Sequence, residues 1–168
     1  MSDSTKTVNK VVIRGRIEDV WREITKTDEV QKVMFNMRCD TNHEVGGPMR
    51  MRSANGKVTG VVGEILEFDP PHRYAHTFKF TNFDDPPCKV SYDLRETPEG
   101  VEFILTCEDL VPGSRTAKQM KGGADMIAKN LKSIVETGRL PFGTRMLYVL
   151  FRVMAPLTPK KCRSENWP

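Results

Sequence analysis

Hydrophobic residues recur along this chain at two kinds of spacing, and the spacing distinguishes predicted helices from predicted strands. A cluster of β-branched residues over positions 7–14 predicts a first strand. The apolar residues after it recur at intervals of three and four, as on one face of a helix: Ile17, Val20, Trp21 and Ile24. A second short helix is predicted from about Asp28, with Val30, Val33 and Met34 on its buried side. The pattern therefore predicts one strand followed by two short helices.

Between residues 37 and 109 the period shortens toward two, which is typical of strands with one buried face. Turn signals divide this region: Asn55-Gly56, the proline pairs at 70–71 and 86–87, and Thr97-Pro98-Glu99-Gly100. The strands between these turns are predicted over residues 58–68, 73–80, 89–96 and 101–109. Because short connections join antiparallel neighbours, we expect one antiparallel sheet.

A long helix is predicted over residues 124–138. Its apolar stripe consists of Ala124, Ile127, Leu131, Ile134 and Val135. Asp125 suits the positive end of the helix dipole, and Gly138 can adopt the left-handed conformation that ends a helix. A lone helix must bury its stripe on another layer, and a curved antiparallel sheet is the layer that this chain offers. The predicted fold class is therefore α+β, with a curved antiparallel sheet gripping a long C-terminal helix.

A further apolar helix is predicted over residues 144–155, between Pro141 and Pro156. We therefore divide the chain into a domain of residues 1–138 and a C-terminal extension of residues 139–168. The extension holds six basic residues and a single acid, Glu165. Three roles for its apolar surface stay open: packing on the domain, pairing with a second copy as a homodimer, or lying on an anionic membrane surface. The first two are favoured because soluble proteins usually bury such surfaces within protein.

Composition excludes several classes of protein. A chain of 168 residues suits one domain with its own core. The 26 basic and 22 acidic residues nearly balance, so no nucleic-acid partner is expected. No segment reaches the apolar length of a membrane span, and the first residues lack the apolar core of a signal peptide. The four cysteines form no CxxC pair and no ligand cluster with the three histidines, so we expect a cytoplasmic protein without metal or cofactor.

Four short segments occur in an order that is typical of one superfamily. They are Ile17-Glu18-Asp19-Val20-Trp21, Gly46-Gly47, residues 63–73 and residues 130–138. Through them residues 8–138 resemble the helix-grip superfamily (SRPBCC) of START domains, birch-pollen-allergen-like proteins and polyketide cyclases. Within it, the chain resembles most the branch named after activators of the heat-shock protein 90 ATPase. The resemblance implies a helix-grip fold with a pocket between the long helix and the sheet. Relatives often carry Gly-Trp where Gly122-Gly123 stands here, so we expect a wider cavity at that end.

Strand geometry selects the candidate cavity residues. Alternate side chains of a strand lie on opposite faces, and the even positions of residues 72–80 share one face: His72, Tyr74, His76, Phe78 and Phe80. The same rule and the helix stripe predict this set for the cavity lining: Tyr74, His76, Phe78, Tyr92, Phe103, Ile127 and Leu131. Glu64 is predicted to share a buried face with Phe68 unless a bulge at Gly63 turns it outward. Cys107 is expected to be a buried structural thiol.

The leading hypothesis is that the cavity binds a small hydrophobic or aromatic molecule, such as a lipid or a metabolite. A histidine among aromatic rings can hydrogen-bond a ligand or move a proton, but for His76 we favour a core histidine satisfied by the backbone or a tyrosine hydroxyl. The first alternative is a cyclase- or hydratase-like enzyme in which His76, with Glu64, transfers protons. The second is an adaptor that activates a chaperone ATPase, which only the family resemblance implies.

Overall fold

A seven-stranded antiparallel sheet forms the body of the protein, and the computed structural model describes it within residues 5–168. Its strands are β1 (Thr5–Ile13), β2 (Arg38–Thr41), β3 (Pro48–Arg52), β4 (Thr59–Asp69), β5 (Arg73–Phe80), β6 (Cys88–Thr97) and β7 (Gly100–Leu110). They lie in the order β1-β7-β6-β5-β4-β3-β2, so each strand from β2 to β7 pairs with its neighbour in sequence. Every pairing is antiparallel, which confirms the expected sheet.

In the described part of the chain, three α-helices accompany the sheet: α1 (Ile17–Thr25), α2 (Arg115–Thr137) and α3 (Phe142–Met154). Single-turn 3₁₀ helices follow at Ala155–Leu157, Lys160–Cys162 and Ser164–Asn166. The long helix α2 packs on β1 and β7, and α1 packs against α2 and β6. The α+β fold, with a curved sheet gripping a long helix and an added C-terminal helix, is thus confirmed. Within residues 5–168, none of the helices combines the length and the apolar character needed to cross a bilayer.

The long helix starts nine residues earlier than its apolar stripe predicts, at Arg115 instead of Ala124. Ser114 caps this start, because its hydroxyl accepts a hydrogen bond from the amide of Ala117 at 3.0 Å. The amide and hydroxyl of Thr116 also donate to the carboxylate of Asp85, at 2.8 and 2.9 Å. Because of these contacts, the helix begins before Gly122-Gly123 and not after it. Its predicted end is confirmed, since the residue after Thr137, a glycine, has a φ of 74°.

The prediction of a second short helix from Asp28 is wrong. Residues 32–36 form a turn instead, and Gln31 and Met37 pair across it as an isolated antiparallel bridge. Phe35 and Asn36 have φ angles of 57° and 59°, and consecutive residues in the left-handed region cannot continue a right-handed helix. The turn still buries the apolar side chains that suggested a helix, Val33 and Met34.

The predicted helix of the extension is present as α3, and a cluster of polar contacts joins it to the domain. The hydroxyl of Thr144 donates to the side-chain oxygen of Asn130 on α2 at 2.7 Å. The hydroxyl of Tyr148 donates to the carbonyl of Lys32 at 2.7 Å and accepts from the amide of Phe35 at 3.0 Å. One side of α3 is therefore fixed to both α2 and the turn at residues 32–36.

The end of the extension reaches the hairpin between β3 and β4. Arg163 pairs with Val58 as an isolated antiparallel bridge, and the amide of Ser164 donates to the carbonyl of Lys57 at 2.9 Å. The hydroxyls of Ser164 and Thr59 lie 3.0 Å apart and share a hydrogen bond. The extension therefore runs from the end of α2 to the β3–β4 hairpin and crosses the gap between helix and sheet.

Candidate functional site

A cavity of about 440 Å³ lies between α2 and the inner face of the sheet. Strands β3 to β6 contribute one wall, and α2 contributes the opposite wall through Met120, Gly123, Ala124 and Ile127. The extension closes one end with Phe151, Met154, Leu157 and Cys162. Three parts of the chain that are distant in sequence thus enclose one space.

The sheet wall of the cavity is aromatic because neighbouring strands bring their rings into register. Tyr74 on β5 lies directly opposite Tyr92 on β6, and their rings stack with centroids 5.6 Å apart. The imidazole of His76 lies 5.1 Å from the ring of Tyr74 and 5.8 Å from that of Tyr92, measured between centroids. Phe78 continues the row along β5. The wall presents a continuous aromatic surface to the cavity.

The structure brings five of the seven predicted residues to the cavity: Tyr74, His76, Phe78, Tyr92 and Ile127. The other two, Phe103 and Leu131, are fully buried in the core and are not part of the lining. Phe103 lies beside the aromatic wall on the same face of the sheet, where its ring stacks on Tyr92 at a centroid distance of 6.1 Å. Strand parity gives the face of the sheet on which a side chain lies, but not which part of that face the cavity covers, so it does not separate lining residues from their buried neighbours.

The protonation state of His76 follows from one hydrogen bond and from burial. Its Nδ1 lies 2.7 Å from the carbonyl oxygen of Thr77, and a carbonyl only accepts, so Nδ1 carries the proton. Burial lowers the pKa of His76 to about 4, so the ring is neutral near pH 7. The backbone thus satisfies Nδ1. Nε2 makes no hydrogen bond to a described residue and holds a free lone pair.

The two tyrosine hydroxyls add polar groups to a largely aromatic wall. Burial raises the pKa of Tyr74 and of Tyr92 above the usual value, so both phenols stay protonated. Neither hydroxyl is hydrogen-bonded to another residue in the part of the chain that the structure describes. Together with Nε2 of His76 they can hydrogen-bond a molecule inside the cavity.

Glu64 does not face the cavity, and the expectation that it shares a buried face with Phe68 is wrong. Ile65 lies opposite His76 and is buried, so its neighbour Glu64 points to solvent. A bulge between Ile65 and Glu67 then reverses the alternation, which brings Phe68 opposite Tyr74 on the inner side. The bulge lies after Glu64 and not at Gly63. As a result, no acid, lysine or arginine of residues 5–168 lines the cavity.

A family model described as Activator of Hsp90 ATPase homolog 1-like protein matches residues 14–136. The chain belongs to this family. This confirms the resemblance to the helix-grip superfamily and to this branch of it. A comparison with curated protein sequences gives no significant match.

Solved structures of similar proteins share the fold. Protein MLL2253 from Mesorhizobium loti is 21% identical with a TM-score of 0.66, and the match covers 81% of this chain and 100% of that one. The Aha1 dimer from Colwellia psychrerythraea is 13% identical with a TM-score of 0.65, covering 80% and 98%. CalU16 from Micromonospora echinospora is 17% identical with a TM-score of 0.55, covering 92% and 87%. At these identities the likeness establishes the fold alone.

The part of the cavity that lies outside the family match is its closed end, because residues 139–168 follow the matched segment. Sequence reasoning did not assign the extension to the cavity. Its apolar helix was predicted, but only the tertiary path to the β3–β4 hairpin places its side chains at the closed end of the cavity. The methionines of β3, Met49 and Met51, also line the cavity and were not among the predicted residues, although they alternate with arginines as on a strand with one buried face.

The thiols of the described residues are buried. Burial raises the pKa of Cys39, which lines the cavity, to about 12, and that of Cys107 to about 11. Both are therefore protonated and unreactive at neutral pH, as expected for Cys107. Within residues 5–168 no group of histidine, cysteine and acidic side chains is placed to hold a metal ion.

Proposed function

We propose that this protein binds a small, uncharged, largely hydrophobic molecule in the cavity between α2 and the sheet. The observation that carries the proposal is a space of about 440 Å³ whose described lining includes no charged side chain. Ligand pockets typically span about 300–1,000 Å³ and are mostly apolar. A charged ligand would lose its hydration there without gaining a counter-charge, which costs several kcal/mol or more. The cavity therefore favours neutral molecules.

The wall chemistry narrows the class of ligand further. The stacked rings of Tyr74 and Tyr92 offer flat apolar surfaces that suit an aromatic or fused-ring molecule. The free lone pair on Nε2 of His76 accepts a hydrogen bond, so it favours a ligand with a hydroxyl or an N–H group. The proposed ligand is an aromatic or polycyclic molecule that carries at least one such donor.

The fold of the family supports a ligand-binding or cyclase-like role in general. The cyclase- or hydratase-like alternative requires proton transfer inside the cavity. Glu64, its second candidate residue, is exposed, and His76 has a pKa of about 4, which makes it a weak base without a neighbouring acid. Binding therefore has more support than catalysis. Unchanged turnover of a candidate substrate by His76→Gln would remove the alternative.

Filling the cavity tests the proposal directly. Ala124 is buried and lines the cavity, so the ring of Ala124→Phe would occupy the ligand space. Lys121→Phe places the same ring on the exposed side of the same helix and is the matched control. We expect phenylnaphthylamine, a neutral fluorescent probe, to bind the natural protein and Lys121→Phe and to bind Ala124→Phe at least about tenfold more weakly, since filling removes the buried apolar area. Equal binding by all three proteins would contradict the proposal.

A second experiment tests the role of His76. Naphthol and methylnaphthalene are similar in size, but only naphthol donates a hydrogen bond. We expect the natural protein to prefer naphthol by about fivefold to tenfold, the value of about one hydrogen bond. His76→Phe keeps an aromatic ring and should lose that preference while still binding both molecules. Native mass spectrometry of the protein as purified would show directly which molecule it retains.

A further inference from the structure

The outer face of α3 is an exposed stripe of apolar side chains, which we call the outer stripe: Phe142, Met146, Val149 and Val153. Their exposed fractions are 70%, 54%, 57% and 72%. They recur at intervals of four, three and four residues, so they lie on one side of the helix. The opposite side holds Thr144 and Tyr148, which bind the domain. Packing on the domain, the first role open to this surface, is thus wrong for the outer stripe.

Basic residues border the outer stripe. Arg145 and Arg152 are seven residues apart and lie on one flank of it, and the guanidinium of Arg145 lies 5.7 Å from the ring centre of Phe142. The helix contains no acidic residue, and Lys160 and Lys161 follow it.

Two acids lie close to this basic border. Asp84 is 3.8 Å from Lys161, and Glu165 is 3.8 Å from Arg163. Both pairs are exposed to solvent, where such contacts contribute little. The surface around the outer stripe therefore remains basic.

Two occupants compete for an apolar stripe with a basic flank. A second copy would bring Arg145 and Arg152 of both protomers to the same contact, with no acid on the helix to offset the repulsion. An anionic bilayer offers both an apolar layer and negative headgroups. We propose that the outer stripe docks on the surface of an anionic phospholipid bilayer, with α3 lying in the interface. At 13 residues the helix is about 20 Å long, which suits lying along the interface and not crossing it.

The apolar surface of the extension continues from the outer stripe to the cavity. Phe151, Met154 and Leu157 line the closed end of the cavity, yet 45%, 48% and 76% of their surfaces are exposed. A protein docked through the outer stripe would hold this end of the cavity beside the bilayer. Docking rests on the outer surface alone, so it does not depend on the proposed ligand.

Vesicle co-sedimentation tests the apolar part of the surface. The probes are vesicles of phosphatidylcholine with and without phosphatidylserine, at low salt. We expect binding to the anionic vesicles, and a loss of about tenfold or more in the double variant Val149→Asp/Val153→Asp. The double variant Val8→Asp/Val111→Asp changes two exposed valines outside the extension and is the matched control, with unchanged binding. Circular dichroism and thermal unfolding of each variant would verify the fold.

A second pair of variants tests the charge. Each basic residue near an anionic surface strengthens binding about fivefold, so Arg145→Gln/Arg152→Gln should bind about 25-fold more weakly. Arg95→Gln/Lys10→Gln removes two exposed positive charges from the sheet and should bind as the natural protein does. Added salt should weaken binding of the natural protein, because headgroup attraction is screened over about 8 Å at physiological ionic strength.

Three outcomes would overturn the proposal. One is no sedimentation with phosphatidylserine vesicles, and another is equal binding by the aspartate variant and the natural protein. The third is a concentration-dependent dimer in analytical ultracentrifugation that Val149→Asp/Val153→Asp abolishes, without vesicle binding, which would assign the outer stripe to a second copy.

Discussion

Two walls of the cavity, the aromatic wall of the sheet and the wall formed by the extension, are held in place by different kinds of contact. The aromatic wall belongs to β5 and β6, where Tyr74 and Tyr92 are buried and paired in register within a hydrogen-bonded sheet. The wall formed by the extension consists of side chains such as Phe151 and Leu157, which stay largely exposed. A small set of polar contacts around Tyr148 and Ser164 fixes it.

Because of this difference, the sheet wall should open only when the whole domain unfolds, whereas the extension can open locally. Opening the sheet wall would expose the core and break the ladder, so its free energy approaches that of complete unfolding. Opening the extension would break few contacts and expose side chains that are already partly in solvent. The proposed ligand would therefore enter at least cost at the extension, while the sheet wall would select among molecules.

The largest expected effect comes from truncating a residue that supports the sheet wall. Phe103 is fully buried beside Tyr92, so Phe103→Ala should lower the free energy of unfolding by about 3–5 kcal/mol. Phe142→Ala removes the same ring from the outer stripe and should change it by less than about 0.5 kcal/mol. Denaturant unfolding measures both. Similar losses for the two variants would show that the extension is as integral to the core as the sheet.

An acid-dependent loss of stability should also originate in the sheet wall. Burial holds the folded-state pKa of His76 at about 4, below its ordinary value of 6.5, so the unfolded chain binds more protons between these values. Stability is thus complete above about pH 6.5 and falls by about 3 kcal/mol as the pH approaches 4.

His76→Phe should remove this part of the pH dependence in denaturant titrations. Burial also lowers the pKa of His43, so a smaller slope should remain in the variant. The extension has no histidine and should not contribute to the slope. An unchanged pH dependence in His76→Phe would show that the imidazole is hydrated in solution.

Removing a single hydroxyl oxygen from a tyrosine in each wall compares how firmly the two walls are attached. Tyr148→Phe leaves the amide of Phe35 without its partner at 3.0 Å and should lower the free energy of unfolding by about 1–2 kcal/mol. In Tyr92→Phe the lost hydroxyl faces the cavity, so the change should stay within about 0.5 kcal/mol. Relative to the natural protein, the amides of α3 in Tyr148→Phe should exchange faster, whereas the exchange rate of the β6 amides should not change. Equal effects would mean that Tyr148 is not the anchor of the extension.

Local patterns in the sequence were sufficient for most of the sheet. The turn signals at Asn55-Gly56 and at residues 97–100 lie where the structure has its turns, because hairpin geometry depends on residues close in sequence. The alternation in residues 72–80 likewise placed Tyr74 and His76 at the cavity.

The parts that the sequence could not supply depend on contacts between distant residues. The start of α2 involves Asp85, 31 residues before Thr116. The direction of Glu64 is clear only from the position of the bulge in the pairing of β4 with β5. The closed end of the cavity depends on Arg163 meeting Val58, which no local pattern encodes.

The smallest perturbation is a chemical label: the rates at which the cysteine thiols react compare how often each wall opens in the natural protein. Cys162 is buried by the extension, whereas Cys39, Cys88 and Cys107 are buried on the sheet. A bulky charged disulfide reagent cannot enter the apolar cavity, so each thiol reacts only when its cover opens. We expect one fast-reacting thiol, which Cys162→Ala removes, and reaction of Cys88 and Cys107, which do not line the cavity, at the rate of global unfolding. The sheet thiols are held back further because burial raises the pKa of Cys39 and of Cys88 to about 12. If Cys162 reacted as slowly as the others, the extension would open only with the whole domain, and ligand entry would have to follow another route.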